Sequence, residues 1–138
     1  MSGENNLPKE SRPTIFLVEE DDNARSSLTN SLRQLGYRML VAADLEDALE
    51  WVGGENYIHA DLVLINLVGK SPEEALSIGR RLRDHARYDG HTPLVVMPEK
   101  VAEELAGTDV NVSAHDWICY YEDSEQLRAL LRRLTRVS

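Results

Sequence analysis

The chain has 138 residues, of which 42% are hydrophobic and 28% charged, and its formal net charge is −9. A chain of this length most often forms one domain with a hydrophobic core of its own. The acidic balance argues against a nucleic-acid-binding protein, which needs a basic surface. The sequence has neither a signal-peptide pattern nor an apolar run of about 20 residues, which argues against a membrane location. A single cysteine, Cys119, excludes an internal disulfide, so we expect a cytoplasmic protein.

The first part of the chain is predicted to be a flexible leader. Residues 1–13 are polar, contain prolines and show no periodicity. We therefore place the folded domain at 14–138. The apolar run TIFLV at 14–18 predicts a buried strand, and four acids follow it directly. The amphipathic helix expected next has Asp22 or Asn23 as its predicted N-cap.

The most informative stretch is LVLI at 62–65, followed by Asn66. Four consecutive aliphatic residues are too few for an ordinary helix and are typical of a strand buried on both faces. Ser71-Pro72-Glu73-Glu74 predicts a strong helix start with a capping box. The other predicted strands lie at 38–42, 93–97 and 116–120. A helix is predicted after each of the five strands. The one after the fourth strand, at 99–106, is weakly specified and is followed by a loop at 107–114.

Five strands alternating with five helices predict an α/β fold, namely a single doubly wound five-stranded parallel sheet with helices on both faces. In such sheets, ligands bind just outside the carboxyl ends of the strands. Asn66 ends the predicted central strand and is therefore the first candidate for a functional residue.

The ordered set of motifs resembles the receiver domains of two-component response regulators. The resemblance covers about 14–136 and rests on FLVEEDD at 16–22, LGY at 35–37, the strand that ends at Asn66, and RLR at 81–83. It implies a flavodoxin-like, chemotaxis-regulator-like fold with strand order 2-1-3-4-5. It also implies a phosphorylation pocket, whose parts can be sought one at a time.

The acidic part of that pocket falls on Glu19 and Glu20. In receivers, two acids after the first strand help hold Mg²⁺, and both positions are still carboxylates here. The position of the phosphorylated aspartate falls on Asn66. A neutral amide is not a nucleophile and cannot form an acyl phosphate. Because it also removes a negative charge, we expect at most weak Mg²⁺ binding by Glu19 and Glu20, and no other cofactor.

Two further parts of the pocket are replaced. The hydroxyl that contacts the phosphoryl group falls on Pro98, and the lysine that neutralises it falls on Tyr120, which is followed by Tyr121. The aromatic residue that responds to phosphorylation falls on Trp117, which we expect mainly to pack. Asp61 cannot substitute for the acceptor, because it lies at the opposite end of its strand, about 16 Å away at about 3.3 Å per residue.

The resulting hypothesis is a stand-alone atypical receiver domain that lacks the phosphoacceptor aspartate and acts in two-component signalling. It would bind a protein partner such as a histidine kinase, another regulator or a second copy, without being phosphorylated. No catalytic residues are expected, so the chain is not predicted to be an enzyme. The predicted partner face, on the last two helices and the last strand, comprises Trp117, Tyr120, Tyr121, Arg128 and Arg132.

Two alternatives remain open from the sequence. The degenerate acidic pocket of Glu19, Glu20 and Asn66 could bind a small ligand or a cation, which would make the protein a sensor. Saturable binding lost on Glu20→Ala would favour that interpretation. The other alternative is a conventional phosphoacceptor with unusual chemistry, which is the weaker of the two because three of the five pocket parts are missing.

Overall fold

The computed structural model describes residues 12–99 and 101–135, so that most of the predicted leader, 1–13, lies outside the described residues. In chain order, the elements are β1 (Thr14–Glu19), α1 (Asp22–Gln34), β2 (Arg38–Ala42), α2 (Leu45–Val52), β3 (Leu62–Asn66), α3 (Pro72–His85), β4 (Leu94–Val96), β5 (Asp109–Ser113), β6 (Asp116–Cys119) and α4 (Ser124–Thr135). None of the helices in the described ranges has the length and apolar character that crossing a membrane requires.

All six strands belong to one sheet of order β2-β1-β3-β4-β6-β5. Five of them are parallel, and β5 pairs antiparallel with β6 at one edge. The predicted α/β class and the order of the five parallel strands are confirmed. The predicted number of elements is wrong: five strands and five helices were expected, whereas the described residues form six strands and four helices.

The sheet lies between two hydrophobic cores, as its apolar strands require. α2 and α3 cover one face, where Phe16 and Val63 point, and α1 and α4 cover the other, where Leu17 and Leu64 point. Both β1 and β3 are buried along their apolar runs because adjacent residues alternate between these two cores. In the observed register, Val18 pairs with Ile65 and Glu19 with Asn66, so the carboxyl ends of the two central strands lie side by side.

The segment after β4 differs most from the prediction. The described residues of the predicted helix at 99–106 form turns, and the predicted loop at 107–114 contains β5. An eight-residue helix is marginal without a well-packed apolar face, and only Val101 and Leu105 could supply large apolar side chains there. The alternation Val110-Asn111-Val112 is instead the period-two pattern of a strand.

Helix starts follow the expected capping chemistry with one correction. The N-cap of α1 is Asp21, whose side chain accepts a hydrogen bond from the Ala24 amide at 2.7 Å, and not Asp22 or Asn23. The capping box predicted at Ser71 is confirmed, with reciprocal bonds between Ser71 and Glu74. These caps fix where the chain leaves β1 and where α3 begins, on either side of the candidate site.

The close approach of α3 to the sheet depends on Gly79. A Cβ atom at this position would lie 2.5 Å from Leu94 Cδ1 and 2.7 Å from Cδ2. We expect Gly79→Ala to lower the free energy of unfolding by about 1–2 kcal/mol, because overpacking outweighs the better helix propensity of alanine. Urea denaturation measures the difference. Gly54→Ala is the matched control, because nothing lies within 4 Å of its added Cβ; equal stabilities of the two variants would contradict the close approach.

A buried ion-pair network ties α3 to the β5–β6 hairpin. Asp116, the first residue of β6, is buried and accepts bonds from Arg80 Nε at 2.8 Å and Arg83 Nη1 at 2.7 Å. The Ser113 hydroxyl donates to the same carboxylate at 2.8 Å. The arginines of α3, which the sequence explains only as favourable for the helix dipole, therefore hold the hairpin beside β4.

Candidate functional site

The candidate site lies at the carboxyl ends of β1 and β3, and its centre is the pair Glu19 and Asn66. These residues end their strands in direct register. Asn66 Nδ2 donates to Glu19 Oε1 at 2.6 Å, and the Asp21 amide donates to Glu19 Oε2 at 3.1 Å. Both carboxylate oxygens of Glu19 therefore accept hydrogen bonds from the protein itself.

Glu19 is 1% exposed, and burial is the main influence on its charge. Desolvation raises the pKa of Glu19 above its ordinary value, and the bonds from the Asp21 amide and the Asn66 side chain only partly oppose that rise. The Arg25 guanidinium, which pairs with Asp22, also donates to the Glu19 backbone carbonyl at 2.9 Å. The end of β1 is thus held by a closed set of internal hydrogen bonds.

The loop after β3 is held by two other carboxylates. Glu20 Oε1 accepts from the Val68 amide at 2.7 Å, and Glu99 Oε1 accepts from the Gly69 amide at 2.8 Å. Gly69 has φ = +73°, a conformation that favours glycine. Sequence reasoning missed Glu99, although its position three residues after the end of β4 placed an acid at the same edge of the sheet.

The arrangement does not fit the Mg²⁺ site that the receiver resemblance implies. Glu19 uses both oxygens internally, Glu20 faces a loop amide, and Asn66 turns its amide nitrogen, a donor, toward Glu19. Within 12–99 and 101–135, no group of three or more histidine, cysteine, aspartate or glutamate side chains is placed to hold a metal ion. A hard cation would have to displace these protein donors before it found enough oxygen ligands.

The structure places Pro98 and Tyr120, the other two residues of the predicted pocket, in different surroundings. Pro98 lines a cavity together with Glu19, Asn66 and Tyr121. Tyr120 packs instead against the core on the α2–α3 face. β6 ends at Cys119, and the next two side chains leave on opposite sides, so that Tyr121 lines the cavity and Tyr120 does not. The assignment of Tyr120 to the pocket stays a prediction.

A groove of about 430 Å³ extends from the Glu19–Asn66 pair between α1 and α4. Its volume is in the range of small-molecule pockets. The walls combine leucines with short polar side chains, and Tyr121 and Arg128 belong to its lining. The residues that line it are Glu19, Ala24, Ser27, Leu28, Ser31, Leu32, Gln34, Leu35, Asn66, Met97, Tyr121, Ser124, Leu127 and Arg128.

The predicted partner face is divided in the structure. Trp117 is half-buried against the α1–α4 core, and the Arg133 guanidinium lies 5.0 Å from its ring centroid. Tyr121 is 39% exposed, and among the described residues the one ion pair of Arg128 is with Glu125, at 3.3 Å. Tyr121 and Arg128 therefore share an accessible surface, whereas Tyr120 belongs to the opposite side of the sheet.

The contacts of Glu20 and Glu99 with the loop after β3 can be tested one at a time. We expect Glu20→Ala to increase the hydrogen-exchange rate of the Val68 amide and Glu99→Ala to increase that of the Gly69 amide, because each variant removes the acceptor of that amide. Mass-spectrometric or NMR hydrogen exchange measures both. Glu103→Ala is the control, since Glu103 is exposed and accepts no side-chain bond within the described residues. Unchanged exchange at both amides would show that the two carboxylates do not hold this loop.

No protein-family model and no curated protein matches this chain. Solved structures do. A response regulator receiver protein from Sinorhizobium medicae superposes with a TM-score of 0.68 at 18% identity, covering 93% of this chain and 98% of that one. The receiver domain of the hybrid histidine kinase CckA gives 0.60 at 26% identity, covering 88% and 98%.

A third similar structure is the receiver domain of a sensor histidine kinase from Pseudomonas aeruginosa, with a magnesium ion coordinated in its active-site cleft. It superposes with a TM-score of 0.61 at 19% identity, and the match covers 91% of this chain and 99% of that one. The three matches cover between 88% and 93% of this chain. The chain has the receiver fold of response regulators.

Proposed function

We propose that this chain is an atypical receiver domain that takes part in two-component signalling by binding a protein partner without being phosphorylated. The observation that carries the proposal is the hydrogen bond from Asn66 to Glu19. Asn66, a non-nucleophilic amide, stands at the position where phosphorylated receiver domains have an aspartate. Its side chain donates to Glu19, one of the acids that would face a metal ion.

The rest of the pocket supports the same conclusion. Phosphoryl transfer depends on positioning and on cationic or hydrogen-bonding groups around the transferred oxygens. Pro98 has no side-chain donor, and the phenol of Tyr121, which lines the cavity with it, carries no positive charge. Glu20 and Glu99 already fix the neighbouring loop. One arrangement of the loop is thus stabilised without a phosphoryl group.

Tyr121 and Arg128 form the surface we propose for the partner. Tyrosine and arginine supply large contact area and directional hydrogen bonds, and both are enriched at interface hot spots. The partner classes in view are a histidine kinase, another regulator and a second copy of this chain. At the contact itself, the Arg128 guanidinium would favour an acidic group on such a partner.

Two measurements test the proposal. Intact-mass spectrometry after incubation with acetyl phosphate and Mg²⁺ should show no phosphoryl adduct, and beryllium fluoride should leave the amide NMR signals of β3 and β6 unchanged. A partner captured by the wild type should be lost by Tyr121→Ala/Arg128→Ala and kept by the matched control Arg33→Ala on α1. A stable adduct, or a partner that requires acetyl phosphate, would overturn phosphorylation independence.

The groove between α1 and α4 favours a second candidate, a small-ligand sensor. Its buried end presents the Glu19–Asn66 pair, and its walls are mostly apolar, a combination typical of ligand pockets. Fragment screening by NMR should then give saturable shifts at Leu28 and Met97 that Ser31→Trp, which fills the groove, abolishes. Weak cation binding belongs to the same candidate, and an Mg²⁺ titration that shifts the Asp21 and Asn66 signals would support it.

A further inference from the structure

The strand β5 forms one edge of the sheet. It pairs with β6 on one side and has no second strand beside it among the described residues. Its side chains are mostly exposed, including Val110 at 39% and Val112 at 40%. Two half-exposed valines on an unpaired strand edge form an unusual surface, because such edges are open to pairing with another chain.

Protection against such pairing is weak at this edge. Soluble proteins commonly place lysine, proline or inward charges on edge strands, and residues 109–113 (DVNVS) contain neither lysine nor proline. The one charged side chain, Asp109, accepts a bond from Gln126 Nε2 at 2.8 Å. A bulge between Asn111 and Ser113 interrupts the β5–β6 pairing and leaves only a short regular stretch of β5. At the other edge, β2 begins with the exposed Arg38.

The hydrogen-bond pattern shows which backbone groups face the free edge. The Thr108 carbonyl accepts from the Tyr120 amide at 2.9 Å and so points toward β6. In an antiparallel pair, this direction alternates along the strand. Val110 therefore shares the direction of Thr108, and Asn111 presents its backbone N–H and C=O outward. The Asn111 side chain is engaged separately, donating to the Ser113 carbonyl at 2.7 Å.

We propose that β5 pairs antiparallel with β5 of a second copy of this chain, across a two-fold axis at Asn111. The sequence DVNVS is self-complementary in this register: valine lies opposite valine, and Asp109 lies opposite Ser113 of the second copy. The two Asn111 residues exchange backbone hydrogen bonds, and the two sheets become one. A register centred on Asp109 would instead place two carboxylates opposite each other, which like-charge repulsion disfavours. The contact is isologous, as a two-fold dimer requires.

A second copy of the chain is one of the partners named in the proposed function, and in that respect the β5 pairing rests on the proposed function. The surface is different, since it uses β5 and not Tyr121 and Arg128. Because each copy carries a net charge of −9, added salt should strengthen the contact by screening repulsion between the copies.

The first test is the molar mass of the full chain. Light scattering after gel filtration should give a mass that rises from 15.6 kDa toward twice that value as concentration goes from about 10 µM to about 1 mM, and further at higher salt. Val112→Lys should keep the monomer mass throughout. Val68→Lys, at a valine that is 50% exposed outside the strand, should dimerise as the wild type does.

Hydrogen exchange on the wild type gives an independent readout that needs no variant. The Asn111 amide should become more protected as concentration rises, whereas the amide of Val68 should not change. A chain that stays monomeric at the highest concentration overturns the proposal, and so does a dimer that survives Val112→Lys with Asn111 unprotected. A dimer lost only on Tyr121→Ala/Arg128→Ala would place self-association on the other surface, overturning the β5 pairing and leaving the partner-binding proposal standing.

Discussion

Asp116→Asn is expected to lower the free energy of unfolding by about 4 kcal/mol, because it breaks a buried ion pair. The carboxylate is 4% exposed and accepts bonds from Arg80, Arg83 and Ser113. Asparagine would leave the Arg83 guanidinium, whose side chain is 12% exposed, without its buried counter-charge. Chemical denaturation at pH 7 measures the loss.

The matched control is Asp89→Asn. Asp89 also belongs to a pair, with His91, but its side chain is 71% exposed, so its loss should change stability little. Equal effects of the two substitutions would mean that the Asp116 network contributes no more than a surface pair.

The same network predicts the acid limb of the stability profile. Burial acts to raise the pKa of Asp116, but the bonds from Arg83, Arg80 and Ser113 outweigh it and hold the pKa below its ordinary value. A carboxyl whose pKa is lowered on folding stabilises the protein above the pKa of the unfolded chain, about 3.9, and loses that contribution as the pH falls further. Between pH 5 and pH 2, an interval of about three pH units around the pKa of the unfolded chain, the free energy of unfolding of Asp116→Asn should therefore fall less than that of the wild type.

The parallel sheet could be predicted because its strands carry a strong local signal. Residues 62–65 are uniformly aliphatic, and the strands beside them alternate with capped amphipathic helices. The helix expected at 99–106 was wrong because helix-forming composition without an apolar face does not determine structure. The alternation Val110-Asn111-Val112 predicts the strand β5, but it is short and its neighbours are polar, so the whole segment was interpreted as a loop.

The candidate site was predictable in its residue types but not in its contacts. A resemblance assigns Glu19 and Asn66 to one pocket, yet no sequence pattern shows that they bond to each other. Tyr120 and Tyr121 show a further limit: their side chains, one position apart at a strand end, face opposite sides of the sheet, and the sequence pattern alone does not show which of them lines the cavity. The partners of Glu20, Glu99 and Asp116 are equally long-range.

Asn66→Asp, which restores the usual receiver carboxylate, is expected to destabilise the protein by about 3 kcal/mol at pH 8 and not to create a phosphoacceptor. The substitution replaces a donor to a buried carboxylate, at 2.6 Å, by a second carboxylate. Two carboxylates this close cannot both ionise, so the pKa of the pair is raised in the folded state. The variant should therefore approach wild-type stability near pH 4, where the pair shares a proton, and lose it as the pH rises.

The double variant Glu19→Gln/Asn66→Asp exchanges donor and acceptor and provides the matched control. The glutamine introduced at position 19 could accept from the Asp21 amide and donate to the aspartate introduced at position 66, which restores both bonds of the wild-type pair. We expect the double variant to recover most of the stability lost at pH 8 and to show a flat profile between pH 5 and pH 8. Failure to recover would mean that Asn66 has a role beyond its bond to Glu19.

Neither variant should gain a phosphoryl group from acetyl phosphate and Mg²⁺, as read by intact mass. A nucleophile alone is insufficient where the positioning groups are absent, because Pro98 donates no hydrogen bond and a tyrosine stands where a lysine would neutralise the transferred charge. If Asn66→Asp does become phosphorylated, the remaining pocket is competent and only the acceptor is missing. The wild-type Asn66 would then be the sole block to phosphorylation, and the Asn66–Glu19 bond would hold the pocket in a state that a single substitution can release.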